Sequence, residues 1–275
     1  MKKNFLSLLT VTAISASALV QADVAQNKDS SGRRMQGYDH YQCWEGNNRV
    51  RVGASWSYLW ITPKSFSSFH GNLWGAEAVY EYRPLRSIYQ GLTFNYRQGN
   101  THSHSQKREL LDFDVQERLG YTFANAKRNW AVTLYAGFGY RYLGQELKQP
   151  SLSTVSFDYS EFYVPIGFLV NRCINKYVDI GVNFSWLPQA FTTVDIIPLG
   201  GANWIIKRRI DNLQAELPIT FKPMPERSFI IELKPYVQWW HDGKSVARTS
   251  FGDALGLPSN TYLFAGIELN LGAQF

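Results

Sequence analysis

From Leu263 to the end of the sequence every second residue is apolar: Leu263, Ala265, Ile267, Leu269, Leu271, Ala273 and Phe275. From Ala265 on, the residues between them are Gly266, Glu268, Asn270, Gly272 and Gln274, all polar or very small. A period of two belongs to a strand with one apolar face, whereas a helix repeats every 3.6 residues. The same period runs through the rest of the chain. Val50, Val52, Ala54, Trp56, Tyr58 and Trp60 oppose Arg51, Gly53, Ser55 and Ser57, and Trp74, Ala76, Ala78, Tyr80 and Tyr82 oppose Gly75, Glu77, Glu81 and Arg83. Further runs are centred on Phe94, Val115, Phe138, Ile166, Val182, Leu217 and Leu233. Counting the last, they make about ten strands, each near the ~9 to 11 residues that a tilted strand needs to cross a bilayer.

At the other end, Lys2 and Lys3 precede an uncharged apolar run from Phe5 to Val20, and Val20-Gln21-Ala22 has the small-residue spacing of a signal-peptidase cut. The expected organisation is a signal peptide at 1–22, an N-terminal segment at 23–48 on the periplasmic side, and a barrel at 49–275. No later uncharged stretch approaches the ~20 residues of a spanning helix, so any further crossing must be made by strands. The two-faced final strand with its terminal Phe275, Leu271 and Leu269 resembles the closing strand of bacterial outer-membrane β-barrels. That resemblance implies recognition by the barrel-insertion machinery and a location in the outer membrane.

Charge excludes one class of partner. Without Lys2 and Lys3, 28 basic residues become 26 against 22 acidic ones, a balance of +4 that is too mild to argue for nucleic acid. Mean hydropathy is only −0.26 although 15% of residues are aromatic, as expected where two faces of opposite polarity cancel.

Alternation alone does not say which face meets lipid, since a soluble barrel gives the same strings. The aromatic residues decide it. Trp56, Trp60, Trp74, Tyr80, Tyr82, Tyr121, Phe123, Trp130, Tyr140, Tyr142, Trp186 and Trp239 lie towards strand ends, as girdles at two water boundaries would. Connections also alternate: short at 84–87, 124–128, 171–175 and 222–226, longer at 62–71, 98–109, 144–154, 188–209 and 242–259. The expected fold is therefore all-β, a transmembrane antiparallel up-and-down barrel of about ten strands with short periplasmic turns and long external loops.

Some residues strain this pattern. Glu117 falls on the lipid face, where a bulge turning it inward is expected, with a contact to a partner subunit as the alternative. Pro165, Pro218 and Pro235 each remove a ladder donor, so local bulges or positions near the water boundary are expected there.

The lumen then receives Arg49, Arg51, Glu77, Glu81, Arg83, Arg97, Asp112, Asp114, Arg118, Arg141, Glu161, Asp179, Glu216, Glu232, Lys234 and Glu268. Charges of both signs in a narrow space should pair. Because eight strands are just filled by side chains and water channels belong to about sixteen or more, a packed interior is expected, with a small selective pore as the alternative.

An enzymatic alternative rests on size. A ten-strand barrel is similar to the omptin proteases, in which paired Asp residues face an Asp–His pair across the external mouth. That likeness implies Asp112 and Asp114 as one pair and His241 with Asp242 as the other. In that family, however, the His comes from the fourth external loop, and residues 188–209 contain Asp195 but no His. His241 with Ser250 is too little for the lipid-modifying barrels. His102 and His104 in one polar loop could clasp a metal ion, but such a loop is more often just solvated, so no metal is expected, and no cofactor motif is present.

Two features concern partners. Lys207, Arg208 and Arg209 form a basic cluster suited to lipopolysaccharide head groups, beside the outer-membrane lipid itself. Residues 188–209 also carry Phe191, Ile196, Ile197, Trp204, Ile205 and Ile206, a candidate contact for host or cell-surface ligands unless the segment simply prolongs two strands. Finally, Cys43 and Cys173 fall on the same side under this topology, where a disulfide is expected in an oxidising compartment and two free thiols are the alternative. The function these readings favour is a structural or adhesin-like surface role.

Overall fold

The computed structural model describes residues 47–64, 67–103, 106–125, 129–148, 154–197, 203–224, 228–248 and 257–275. They form β1 (Asn48–Pro63), β2 (Phe69–Tyr82), β3 (Ile88–Ser103), β4 (Gln106–Asn125), β5 (Trp130–Lys148), β6 (Val155–Tyr163), β7 (Ile166–Asn175) and β8 (Val178–Trp186). β9 (Gln189–Ile197), β10 (Asn203–Ile206), β11 (Leu213–Glu216), β12 (Ile219–Phe221), β13 (Phe229–Asp242), β14 (Ser245–Arg248) and β15 (Asn260–Gln274) follow. Among the described residues no helix is long and apolar enough to cross a membrane, which says nothing of strands.

The fifteen elements make ten staves of a closed antiparallel barrel. β5 pairs β6 along one half and β7 along the other, so β6 and β7 are a single stave. By the same logic β8 and β9 form one stave, β10, β11 and β12 another, and β14 prolongs β13. Closure falls between β15 and β1, from Arg49↔Gln274 to Pro63↔Asn260 without a slip. It is sealed by reciprocal backbone bonds, Asn48 N to Phe275 O at 2.8 Å and Phe275 N to Asn48 O at 2.9 Å.

Register matters because a slip of one residue would exchange the faces of a whole strand. On β1, Val50, Val52, Trp56 and Trp60 point outward while Arg49, Arg51, Ser55 and Ser57 are buried within. Across the seam Leu269 and Leu271 point outward, with Glu268 and Asn270 inside.

Proline explains why some staves are broken. Pro165 separates β6 from β7, Pro188 separates β8 from β9, and Pro218 separates β11 from β12, each lacking the N–H a ladder requires. The wall stays joined there by single bonds: Val164 N to Pro188 O at 3.1 Å, Leu187 N to Asn212 O at 2.8 Å, Leu217 N to Pro235 O at 2.9 Å. Pro235 lies inside β13, in unbroken register with Ile267 of β15, but on the other side it stands at the gap between the β11 and β12 pairings. Glu117 differs from the expectation: the β3–β4 and β4–β5 registers run past it unbroken, with Leu92 and Phe138 opposite, so no bulge turns it inward.

The longer connections are also more regular than their composition implies. β9 and β10 occupy most of 188–209 and pair with each other, so that segment continues the barrel wall.

Candidate functional site

The interior is layered from the end carrying the short turns to the end carrying the long connections. Nearest the turns lies a network of charges. Lys234 on β13 pairs with Glu77 on β2, lies 2.6 Å from Glu268 on β15 and 3.7 Å from Glu216 on β11. Arg51 on β1 pairs with Glu232 and, at 2.6 Å, with Glu81; Arg49 lies 3.6 Å from Asp179. Neutral partners complete the layer: Asn270 donates to Glu77 at 2.8 Å, Asn183 to Glu216 at 2.7 Å, and Arg83 to Asn171 and Thr133 at 2.7 and 3.0 Å. Arg118 donates to Thr93 at 3.1 Å and to Gln116. The space left among these groups is a cavity of about 30 Å³, room for only a couple of water molecules.

A second layer mixes charge and rings. Asp112 accepts from Arg141 at 2.8 Å and lies 2.6 Å from Arg97, while Asp114 accepts from the Tyr163 hydroxyl at 2.6 Å. Arg97 also donates to Gln238 and Tyr236 at 3.0 and 3.2 Å. The Arg141 guanidinium faces the rings of Trp240, Phe264 and Tyr262 at 4.7, 5.3 and 5.8 Å, an arrangement that favours a cation over each ring face. Glu161 is buried beside it, opposite Arg141 in register.

The third layer is mainly apolar, with Gln145, Asp242 and Asn260 hydrogen-bonded to its aromatic members. Leu59, Ile61, Phe69, Leu73, Leu110, Leu143, Tyr159, Leu187, Val194, Ile196, Trp204, Ile206, Trp240 and Tyr262 form one buried cluster across the barrel. Its existence revises the expected polarity of the strands. On β2 the outward face changes from Ala76 and Trp74 to Asn72 and His70, while the inward face changes from Glu81 and Glu77 to Leu73 and Phe69. On β4 the outward residues pass from Leu111 to Glu109 and Lys107 as the inward ones pass from Asp112 to Leu110. Beyond that level these two strands are polar outside and apolar inside, as in a soluble barrel. Ile196, Trp204 and Ile206 belong to this plug, and Phe191 and Ile197 face outward, so 188–209 does not offer its apolar residues as one contact surface.

The residues named for catalysis are not assembled. Asp112 and Asp114 share the inward face but are 1% and 6% exposed and engaged as described. His241 and Asp242, adjacent in β13, point to opposite sides of the wall because strand side chains alternate. Asp242 turns inward and accepts from Gln189 at 3.0 Å and from Trp240 Nε1 at 3.2 Å. His241 turns outward, its Nδ1 lying 2.9 Å from Asp211 and 3.2 Å from the donating Nε of Arg209. Partial burial raises the Asp211 carboxyl, but the His241 hydrogen bond and the nearby Arg209 charge outweigh it and hold the group below the usual carboxylate range. Asp211 belongs to no motif; its sole signal in the sequence is its place in the largely polar stretch 207–212 between two apolar runs.

Among the described residues no group of three or more His, Cys, Asp or Glu is arranged to hold a metal ion. His102 is exposed on the outward face; His104, Ser250 and residues 1–46, which include the expected leader and Cys43, lie outside the described residues. Cys173 is disulfide-bonded.

No protein-family model matches the chain, and no curated protein sequence matches it. Solved structures do. The outer membrane protease OmpT from Escherichia coli is similar with a TM-score of 0.52 at 10% identity, over 83% of this chain and 97% of that one. The translocator domain of the autotransporter NalP from Neisseria meningitidis gives 0.44 at 11% identity, over 94% and 98%. The Pseudomonas putida toluene transporter TodX gives 0.39 at 9%, over 84% and 90%. At such identities the likeness to OmpT establishes the fold alone: this chain has the fold of bacterial outer-membrane β-barrels.

Proposed function

We propose that the chain is a sealed integral β-barrel of a bacterial outer membrane, exported through its N-terminal leader, that acts as a structural or surface-contact component rather than as a conduit. The observation carrying this reading is the doubly closed lumen, an ion-paired layer beneath an apolar plug. A hydrated pathway would have to cross both. The fold shared with OmpT and the outward apolar belt support the membrane, and the alternation of short turns with long connections supports the orientation, short turns towards the periplasm.

Purified protein in planar lipid bilayers tests the reading. We expect no conductance steps above baseline and no solute-driven swelling of proteoliposomes. Reproducible steps would replace the sealed barrel by the small selective pore. The protease reading has less support, because Asp112 and Asp114 are buried and His241 is on the far side of the wall.

A further inference from the structure

A groove of about 370 Å³ opens on the outside of the barrel, lined by Trp60, Thr62, Trp239, Thr261 and Leu263. Its construction follows from register. Trp60 on β1 and Trp239 on β13 both lie directly across from Leu263 on β15, so two indoles flank one aliphatic floor in a single cross-strand row. Both indoles are only about 40% exposed. The next outward row towards the long connections is Thr62, Thr261 and His241. Arg209 donates to the His241 ring at 3.2 Å, and Lys207 and Arg208 beside it are exposed. The slot therefore lies where the outward face passes from apolar to polar, with basic groups at its polar end.

We propose that this groove seats an acyl chain of a phosphorylated, anionic glycolipid of the outer leaflet, with its phosphate held by Arg209, Lys207 and Arg208. Two rigid indoles with a short side chain between them leave a channel that a hydrocarbon chain fills without reordering the wall. Threonine hydroxyls suit the ester and sugar region that follows along such a lipid. Guanidinium groups match phosphate geometry, and the net positive balance of Lys207, Arg208 and Arg209 against Asp211 favours an anion at the membrane boundary. The site rests on the outer-membrane reading above, deepening it to a specific lipid class.

The test is native mass spectrometry of the full chain in nonionic detergent, titrated with diphosphorylated lipid A or with phosphatidylcholine. The unmodified protein should retain one lipid A and no phosphatidylcholine. Leu263→Trp fills the slot and keeps every charge; Lys207→Gln, Arg208→Gln and Arg209→Gln together keep the slot and remove the charge. Each should weaken lipid A retention by at least about ten-fold. Trp239→Ala, which widens the slot, gives the same reading if Leu263→Trp fails to fold. Equal retention by all variants would mean a non-specific lipid shell and overturn the site. A dimer lost on Leu263→Trp would instead make a second copy the occupant, and would also overturn it. Phase partition of the same samples separates the two levels: protein in the detergent phase without lipid A selectivity sinks the site alone, and protein in the aqueous phase sinks the membrane reading as well.

Discussion

Lys234 is the cation around which the charged layer is organised, with Glu77, Glu216 and Glu268 all turned to it. Removing one member of a buried pair leaves an uncompensated charge, which costs more than the pair contributes. Lys234→Met should therefore destabilise the barrel by about 3 kcal/mol or more, read as a lower urea midpoint for the refolded protein in lipid vesicles. Glu117 predicts the opposite sign. It stands on the outward face between Leu92 and Phe138, and Glu117→Gln should stabilise the barrel by on the order of 1 kcal/mol in the same assay. An unchanged midpoint would mean that its carboxylate already reaches water or a neighbour. Both residues were legible in their positions, because a strict period of two assigns every residue a face. What was not legible was whether regular pairing tolerates a lipid-facing carboxylate, since a bulge leaves no trace in composition.

Among the elements, the interruptions at Pro165, Pro188 and the 207–212 segment are neighbours, because β6 pairs β9 and Leu187 bonds to Asn212. They form a line across three adjacent staves where ladder bonds are sparse. Amides at 164, 187 and 189 should exchange with deuterium sooner than those in the middle of β3 and β4, whose pairing is continuous from Ile88↔Tyr121 to Ser103↔Gln106. Mass-resolved exchange of the folded protein in micelles would check this, and equal protection would mean that the single bridging bonds suffice. The elements also show where sequence reading stopped. Apolar residues in 188–209 suggested an adhesive loop because β9 and β10 carry them on both faces. Which half packs inward is decided by the opposite wall, where Phe69, Leu110 and Trp240 complete the plug, and such long-range contacts are not written in local periodicity.

Taken as a whole, the barrel closes by its own backbone between Asn48 and Phe275, and Cys173 adds a covalent link at the end carrying the short turns. Non-reducing peptide mapping should recover Cys173 joined to Cys43, the chain's other cysteine. Reduction should leave the β signal in circular dichroism and the heat-modifiable migration of the folded barrel intact, since the ladder from Arg49↔Gln274 to Pro63↔Asn260 does not depend on sulfur. Loss of either on reduction would make the link part of closure itself. Fold class was readable from alternation and girdles; the inversion of polarity beyond Trp74 and Leu111 was not, because it requires knowing where the bilayer stops.

That inversion gives the protein redundancy against leakage. Its lower barrier is held by buried charge pairs, which salt screens only weakly, and its upper one by apolar packing, so a mild amphiphile that loosens the upper leaves the lower standing. A conducting variant should therefore require simultaneous damage at two depths.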